Sequence, residues 1–354
     1  SFRGFFLDWW KRPHMGMDLA ATPLLLLALF ASLCVLPCTA HPAPDATAMA
    51  VDAAGARPAV PPAIPDEVNA LHARGQAAWR AMHSPQFSGI SMAQAAVRMG
   101  VRPGNSTSQE PALPVRKHTL PAALPASFEW TDCTAPVGDQ GACGSCWAFA
   151  AAETISQRLC LASPDKKLVP LSTLDILACD FSDPDLGCLG GLPYDAWHYV
   201  QKRGIVSEPC YPYLTSEGGP IPPCPADTNP CTDAADTPMC PGACVANSSL
   251  SWDSDKRHVV HDVYTVTSDP DQIATEIMTN GPVEATFAVF QDFLAYRDGV
   301  YHHVTGENIG SHAIKIIGWG EENGVPYWLV VNSWGSSWGG MNGRFKIAKG
   351  TGEC

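Results

Sequence analysis

The chain has little charge, and basic residues are especially scarce. Only 16% of its 354 residues are charged, and 35 acidic against 22 basic residues give a net charge of −13. Neither basic patches nor basic runs interleaved with aromatic residues are present, and no internal repeat is evident. This composition argues against nucleic acid or an anionic membrane as the main partner and favours a soluble, acidic surface.

The sequence also lacks an apolar run that spans a bilayer comfortably. Residues 24–33 are apolar but short, and they lead into small residues at positions 38–40. This pattern is typical of a secretory signal, so residues 1–40 are interpreted as a leader and signal peptide, with Met15 and Met17 as the first candidate start codons. An uncleaved anchor is the alternative, although no basic cluster follows to stop transfer.

Hydrophobic residues, at 46%, and 14 cysteines are abundant. The hydrophobic content is sufficient for a large core in two lobes. Because disulfides persist in oxidising compartments, the cysteines indicate a secretory route. Asn105 and Asn247 begin N-glycosylation tripeptides, which are consistent with that route.

The most informative segment is residues 140–149, QGACGSCWAF, in which a glycine-rich turn becomes an apolar helix at Cys146. Backbone N–H groups and the positive end of a helix dipole favour thiolate over thiol. We therefore expect Cys146 to ionise more easily than an ordinary cysteine. His312 and Asn332, each at one end of an apolar strand-like run, are the candidates for a base and its orienting group.

These three segments, joined by GCLGG at residues 187–191, resemble those of the papain family of cysteine peptidases and in particular its cathepsin B branch. The resemblance runs from about Leu124 to Cys354. His312 follows Cys146 by 166 residues, more than the spacing of about 130–150 typical of papain-like enzymes, which implies an insertion. The implied fold is α+β and papain-like, with a helical lobe, a β-barrel-like lobe and an active-site cleft between them.

The resemblance also implies individual roles. Cys146 is the nucleophile, His312 takes its proton, and Asn332 holds the imidazole through a hydrogen bond that Trp334 shields from water. Gln140, six residues before the nucleophile, is expected to donate its side-chain amide to the tetrahedral oxyanion.

The substrate-binding residues have a simpler alternative explanation. By resemblance, Gly190 and Gly191 offer backbone to an extended substrate and Trp338 walls the leaving-group side. A tight turn beside Cys188 explains the glycines equally simply, and this alternative carries more weight for Gly191 than for Gly190. Trp338 alone would indicate core packing, but its position four residues after Trp334 favours the binding role.

The resemblance further pairs ten cysteines in five disulfides, a connectivity that sequence alone does not supply. The implied pairs are Cys133 with Cys160, Cys143 with Cys188, Cys179 with Cys240, Cys210 with Cys244, and Cys224 with Cys231.

Residues 41–123 resemble a short propeptide. Residues 41–65 contain few large apolar side chains and are expected to be flexible, whereas helices are predicted over 68–79 and 92–100. Residues 103–121 are predicted to be an exposed linker suited to cleavage, so that a peptidase domain spans 124–354. In the family this domain extends past Cys354 into a segment at the base of the S2 pocket, so we expect the chain to stop early, and its P2 preference cannot be read.

Periodicity and capping residues predict the elements of the peptidase domain. Helices are expected over residues 146–160, 194–203 and 270–280, and strands over 282–290, 312–319, 325–331 and 344–348.

Two motifs suggest other chemistry. Cys143 and Cys146 form C-x-x-C, which is found in redox dithiols and zinc sites, but no βαβ pattern surrounds it and no second ligand pair is suitably spaced. Residues 335–339 match the G-x-S-x-G of serine hydrolases, yet turn residues follow where that motif needs a helix.

The cathepsin B branch holds a substrate's C-terminal carboxylate with a histidine pair in an occluding loop. The matching segment here, residues 224–231, is shortened and contains no histidine. His302 and His303 fall elsewhere, in the β-rich lobe, where satisfied structural histidines are expected. We therefore predict an open, endopeptidase-like cleft with weak or absent dipeptidyl carboxypeptidase activity.

The leading hypothesis is a cysteine-type endopeptidase made as a zymogen, acting on protein and peptide substrates without cofactor or metal. The resemblance implies inhibition by the propeptide and by cystatin-like proteins, a monomer free of the membrane after signal removal, and a lysosome-like or extracellular location. An inactive binding homologue and a disulfide oxidoreductase using Cys143 and Cys146 remain as alternatives.

Overall fold

The computed structural model describes residues 57–102, 113–181, 187–214, 236–246, 248–258 and 262–352. The predicted signal peptide, Asn105, Asn247 and the segment from Cys224 to Cys231 lie outside these ranges. Within the described residues, no helix is long and apolar enough to cross a membrane.

Most helices lie in the first two thirds of the described chain, and most strands lie in the last third. In order they are α1 (Ala63–Ala73), β1 (Trp79–Ala81), α2 (Met92–Ala96), β2 (Val115–Arg116), β3 (Phe128–Glu129), α3 (Cys146–Ala162), α4 (Thr173–Cys179), α5 (Pro193–Arg203), α6 (Trp252–Asp255), β4 (Thr265–Val266), α7 (Pro270–Asn280), β5 (Val283–Phe290), β6 (Tyr296–Tyr301), β7 (Asn308–Glu322), β8 (Val325–Val331) and β9 (Arg344–Ala348).

Local signals account for the ends of the helices. Helix α7 begins at Pro270 after Asp269, whose side chain accepts from the Asp271 N–H, and it ends at Gly281 with φ of 105°. Helix α5 likewise has proline in its first turn and stops at Gly204, where φ is 74°. The predictions for both helices are confirmed, and α3 is two residues longer than predicted.

Helices α3, α4 and α5 form one lobe around a shared core. Twelve of the 17 residues of α3 are buried, as is every residue of α4, while α5 contributes Ala196, Tyr199 and Val200. Buried residues of these helices join one apolar cluster that includes Trp147. Burial on this scale supplies most of the stability of the lobe.

The second lobe is a seven-stranded sheet in the order β1-β6-β9-β8-β7-β3, with β5 also paired to β7. Strand β7 pairs antiparallel with β5 on one side and with β8 on the other, and Phe287 of β5 lies opposite His312 of β7. A cluster of buried aromatic rings, including Phe293, Tyr296 and Phe345, fills its core. The architecture is the predicted α+β fold with a helical lobe and a sheet lobe.

The predicted propeptide packs on the sheet lobe, and its first helix was predicted over the wrong residues. Helix α1 ends at Ala73, and after Gly75, at φ of 71°, the chain turns into β1. Strand β1 pairs antiparallel with β6, and the fully buried Trp79 donates its Nε1–H to the His302 carbonyl at 2.9 Å. Tertiary pairing therefore replaces the last turn of the predicted helix.

Two further predictions for this region need correction. Helix α2 begins with a capping box between Ser91 and Gln94 but ends at Ala96, because the N–H groups of Arg98 and Met99 bond to carbonyls three residues back rather than four. Ile64 and Pro65, placed in the stretch expected to be flexible, are buried in α1. The linker, by contrast, is exposed at residues 114–117 as predicted, although β2 within it pairs in parallel with β4.

Four of the five implied disulfides are present in the described residues, and Cys146 is a free thiol. The bonds join Cys133 to Cys160, Cys143 to Cys188, Cys179 to Cys240, and Cys210 to Cys244.

Candidate active site

Three predicted site residues come from three different elements. Cys146 is the first residue of α3, His312 lies on β7, and Asn332 directly follows β8. His312 Nε2 and Asn332 Oδ1 are 2.8 Å apart, and the same oxygen accepts from the Ser333 N–H at 2.8 Å. Because the amide oxygen accepts, the ring hydrogen lies on Nε2 and leaves Nδ1 as the basic nitrogen.

Aromatic rings cover this hydrogen bond. The Trp334 ring lies 4.9 Å from the His312 ring and is itself fully buried. The Phe287 ring approaches His312 edge-on at 6.0 Å. Exclusion of water strengthens a hydrogen bond by lowering the local dielectric constant, as the sequence reasoning expected of Trp334.

Gln140 is buried, and both polar atoms of its side-chain amide are hydrogen-bonded. Its Oε1 accepts from the Ser333 hydroxyl at 2.7 Å, and its Nε2 donates to the Cys143 carbonyl at 2.7 Å and the Arg98 carbonyl at 3.0 Å. The amide predicted to serve an oxyanion therefore points at a backbone carbonyl of the N-terminal segment.

Tyr213 belongs to the same site, and the sequence reasoning missed it. Its hydroxyl donates to the Gln140 carbonyl at 3.0 Å and lies 2.7 Å from the Ser145 hydroxyl, while its ring meets Phe149 edge-on at 4.6 Å. It braces the turn that carries Gln140 and Cys146. No local pattern identifies it, because these partners lie far away in the sequence.

Residues 98–102 run through the cleft and bind both of its sides. Val101 donates its N–H to the Ser311 carbonyl at 3.2 Å on the sheet side. On the helical side, Gly191 donates to the Gly100 carbonyl at 2.8 Å and accepts from the Arg102 N–H at 3.2 Å. Val101 also packs against Cys146. The segment therefore lies directly over the thiol.

In the proform the two glycines differ in their contacts, while their roles toward a substrate stay predictions. Gly190 adopts φ of 111° and donates to the Gly187 carbonyl at 3.0 Å, so it makes the turn. Gly191 pairs its backbone with the extended segment, and a Cβ there would lie 2.6 Å from the Trp147 ring. The missed signal is steric, since only glycine lets the chain pass so close to Trp147.

Trp338 is 1% exposed and packs against Trp334, Phe293 and Tyr296. In the described residues Trp338 therefore packs in the core, which was the simpler of the two interpretations. Its second predicted role, as a wall on the leaving-group side of the cleft, stays a prediction.

Comparison with known proteins agrees with this geometry. Residues 124–354 match the model of the papain family cysteine proteases. The chain belongs to the papain family. It is similar to cathepsin B of Dictyostelium discoideum, at 44% identity over 233 residues covering 65% of this chain and 71% of the relative. A cathepsin B-like cysteine proteinase of Schistosoma japonicum is 36% identical over 314 residues, covering 83% of this chain and 89% of that protein.

Solved structures extend the likeness to the N-terminal segment. Procathepsin B S9 from Trypanosoma congolense superposes with a TM-score of 0.69 at 32% identity, covering 84% of this chain and 95% of that one. Digestive procathepsin L2 from Tenebrio molitor gives 0.61 at 27% identity, covering 81% and 84%. The protein is thus a cathepsin B-like cysteine protease made as a proform, with its propeptide associated with the protease domain.

The propeptide reverses the ionisation expected for the nucleophile. Burial raises the pKa of Cys146 to about 11, and hydrogen bonds to the backbone of Ala313 and Gly100 oppose this only in part. Burial likewise lowers the pKa of His312 to about 4 despite the opposing hydrogen bond to Asn332. The prediction of an easily ionised Cys146 is wrong for the proform, because desolvation outweighs the helix N-terminus.

The competing motifs do not form sites. Cys143 is bonded to Cys188, so it cannot act as a dithiol with Cys146. Turns surround Ser337, with no helix after it. In the described part of the chain, no group of three or more potential ligands is arranged to hold a metal.

The adjacent histidines were predicted to be structural, and His303 has such contacts. Its ring stacks on Phe290 at 3.7 Å, and its Nδ1 lies 3.2 Å from the buried Asp292 carboxylate.

Proposed function

We propose that this protease is an endopeptidase in which Cys146, His312, Asn332 and Gln140 perform the reaction after residues 41–123 have been removed. The observation that carries this proposal is the hydrogen bond from the Gln140 amide to the Arg98 carbonyl, in the same segment whose Gly100 backbone is hydrogen-bonded to Cys146. A peptide carbonyl at that donor is the arrangement that attack by the nearby sulfur requires.

In the first half of the reaction, His312 Nδ1 takes the proton of the Cys146 thiol, and the sulfur attacks the scissile carbonyl carbon. As the C–S bond forms, the carbonyl π electrons move to oxygen, which accepts from Gln140 Nε2 and the Cys146 N–H. Loss of one such donor costs about 3 kcal/mol of transition-state stabilisation.

The second half regenerates the enzyme. The imidazolium gives its proton to the leaving amine as the C–N bond breaks, and water then hydrolyses the thioester with His312 again as the base. Asn332 keeps the ring aligned throughout, because its oxygen holds Nε2–H at 2.8 Å. No cofactor or metal takes part in these steps.

The proform is inactive for two reasons that support this assignment. The propeptide backbone occupies the donor of Gln140 and the partners Gly191 and Ser311 that an extended substrate would use. In addition, the thiol and the imidazole are both neutral at pH 7 while they are buried. Inhibition thus combines occupation of the cleft with desolvation of the reacting pair.

We further propose cleavage within chains rather than at their C-termini. The segment from residue 224 to 231 contains no histidine to bind a terminal carboxylate. Internally quenched peptides blocked at the C-terminus should therefore be cut as readily as free ones. Efficient release of C-terminal dipeptides by the processed enzyme would contradict this.

We further propose that the protein enters the secretory pathway, is glycosylated and is open to inhibition by other proteins. A signal in residues 1–40, glycans at Asn105 and Asn247, and activity as a monomer in a lysosome-like or extracellular compartment fit the cysteine content and the family. Cystatin-like proteins would compete for the vacated cleft. Expression in eukaryotic cells followed by enzymatic deglycosylation checks the route, since an unchanged mass would argue against it.

The decisive experiment is to label the processed enzyme with an epoxide thiol inhibitor and to map the adduct while peptide hydrolysis is followed. One adduct on Cys146, with hydrolysis abolished, is expected. Cys146→Ala should lose both, whereas Ser337→Ala should keep both. Hydrolysis that survives Cys146→Ala, or an adduct on another cysteine, would defeat the proposal.

A further inference from the structure

The C-terminal part of the activation linker is bound to the protease away from the catalytic residues. Strand β2 adds in parallel to β4, and the Thr265 N–H donates to the Pro114 carbonyl at 3.0 Å. Each of these strands is two residues long, and within the described residues they pair only with each other. Main-chain pairing of this kind is largely independent of sequence. It provides affinity, and side chains must provide the selectivity.

Arg116 makes the first selective contact. Its guanidinium lies 3.8 Å from the centre of the Tyr264 ring, a cation–π geometry. The Tyr264 hydroxyl in turn donates to Glu276 Oε1 at 2.6 Å, which fixes the ring as a platform. A cation on the peptide is therefore recognised by a ring that the protease itself holds in place.

His118 makes the second selective contact, and it is clamped on both main-chain groups. Its N–H donates to Gln272 Oε1 at 2.6 Å, and its carbonyl accepts from Gln272 Nε2 at 3.0 Å. Its Nε2 lies 2.6 Å from Glu276 Oε2, whose side chain is fully buried. The Gln272 amide thus aligns the linker backbone, and the Glu276 carboxylate binds the His118 imidazole.

Glu276 is prepared for this contact by the protease. Burial acts to raise its pKa, but hydrogen bonds from Tyr264, Asn280 and His118 and the charge of Arg158 together hold the pKa below its usual value. Arg158 Nη2 lies 2.9 Å from Oε1, and Asn280 Nδ2 lies 3.0 Å from Oε2. Tyr264, Arg158 and Asn280 belong to the protease, so their contacts to Glu276 remain when the linker leaves.

The linker site opens toward the substrate cleft. A cavity of about 1150 Å³ is lined by Val101 at the cleft and by Leu113 and Arg116 of the linker, and protease residues that include Glu276 and Trp197 complete its walls. A peptide held at β4 therefore lies along the same hollow as Val101 of the segment in the cleft.

We propose that Tyr264, Thr265, Gln272 and Glu276 form an exosite that binds an extended peptide with arginine two residues before histidine, and that residues 113–118 are its resident ligand. The inference rests on the proposed function only in taking the linker to be separated from the protease on activation. The cleaved linker remains bound at this site, and peptides of the same pattern displace it.

The test uses the full chain carrying Cys146→Ala, so that no step depends on catalysis. Recognition sequences for an added protease are placed within residues 103–111 and 119–123, and both are cut. A fluorescent synthetic peptide of residues 112–119 is then exchanged for the resident linker and followed by anisotropy. Saturable binding of one peptide per chain is expected.

Matched variants separate the exosite from general attraction of a basic peptide to an acidic protein. The peptide with Arg116→Ala and His118→Ala should bind about 30-fold more weakly, from about threefold for the ring contact and about tenfold for the charged hydrogen bond. Lys117→Ala removes an exposed positive charge and should change binding less than about twofold. On the protein, Gln272→Ala should weaken binding about tenfold with an unchanged melting temperature.

The proposal is overturned if the linker is lost as soon as both cuts are made, if Lys117→Ala weakens binding as much as the double change, or if Gln272→Ala has no effect. These outcomes are independent of peptide hydrolysis by the unmodified chain, whose absence would instead overturn the proposed function.

Discussion

Acidification from pH 7.5 to 5 should loosen the propeptide from the cleft about 30-fold, through His312 alone. In the closed proform burial holds the pKa of this imidazole at about 4, against an ordinary value of 6.5. When the cleft opens to water, the ring regains at least the ordinary value. The open state therefore binds more protons than the closed state between these two pH values.

The direction and the size of the pH effect on cleft opening follow from this difference in pKa. Above about pH 6.5 the imidazole is neutral in both states and opening is insensitive to pH. Below it, the open state gains a proton that the closed state lacks, so the closed state loses stability until the pH falls to about 4. At pH 5 the difference amounts to about 2 kcal/mol, or about 30-fold in the opening equilibrium.

Hydrogen exchange measures this opening directly. The N–H groups of Val101 and Arg102 are held by Ser311 and Gly191 only while the cleft is closed. Their protection, corrected for the intrinsic pH dependence of exchange, should fall about 30-fold between pH 7.5 and 5 in the Cys146→Ala chain. In a chain that also carries His312→Gln, the fall should be less than about threefold.

The comparison between these two chains decides the matter. Other groups titrate in the same range, but they do so in both chains and cancel. An equal loss of protection with glutamine at position 312 would refute the reasoning, because the proton uptake would then belong to another group.

Three further changes test the propeptide contacts and the cavity wall. Trp79→Ala removes a fully buried ring whose centre lies 5.1 Å from that of Tyr301, and should destabilise the packing of the propeptide by about 3–5 kcal/mol. We expect the variant to activate earlier than the unmodified chain. Unchanged activation kinetics would count against an anchoring role for Trp79. Gly100→Ala sets a Cβ against the Gly144 carbonyl and should weaken inhibition by the propeptide at least about tenfold in an inhibition assay; equal inhibition would show that the backbone can shift. Burial raises the pKa of Glu284 to about 8 from 4.5, so its contribution to stability is present below pH 4.5 and is lost as the pH rises toward 8; Glu284→Gln should flatten the denaturant stability between pH 5 and 8 by on the order of 3 kcal/mol, and parallel curves would contradict this.

Several parts of the fold could be predicted from residues that lie close together in the sequence. Asp269, Pro270 and Gly281 mark the ends of α7 because capping and left-handed backbone are properties of a few adjacent residues. Strands β8 and β9 match their apolar runs residue for residue. The resemblance supplied Cys146, His312, Asn332 and Gln140, since their motifs are distinctive.

The errors lie where distant segments meet. Trp79 was placed in a helix because its neighbours favour one, yet pairing with β6 makes it part of a strand. The linker is exposed at residues 114–117 as its polar composition predicts, but nothing in its sequence indicated that Gln272 and Glu276 would bind His118. Tyr213 had no signal at all, because its role depends on contacts with Gln140 and Ser145.

By itself the sequence determined which groups are chemically able to act, a thiol at a helix start with an imidazole and an amide to serve it. Only the tertiary structure decided whether they act, because burial in the proform raises the pKa of Cys146 to about 11 and lowers that of His312 to about 4. Desolvation depends on whatever lies against a group from elsewhere in the chain, and no local pattern of residues contains that information.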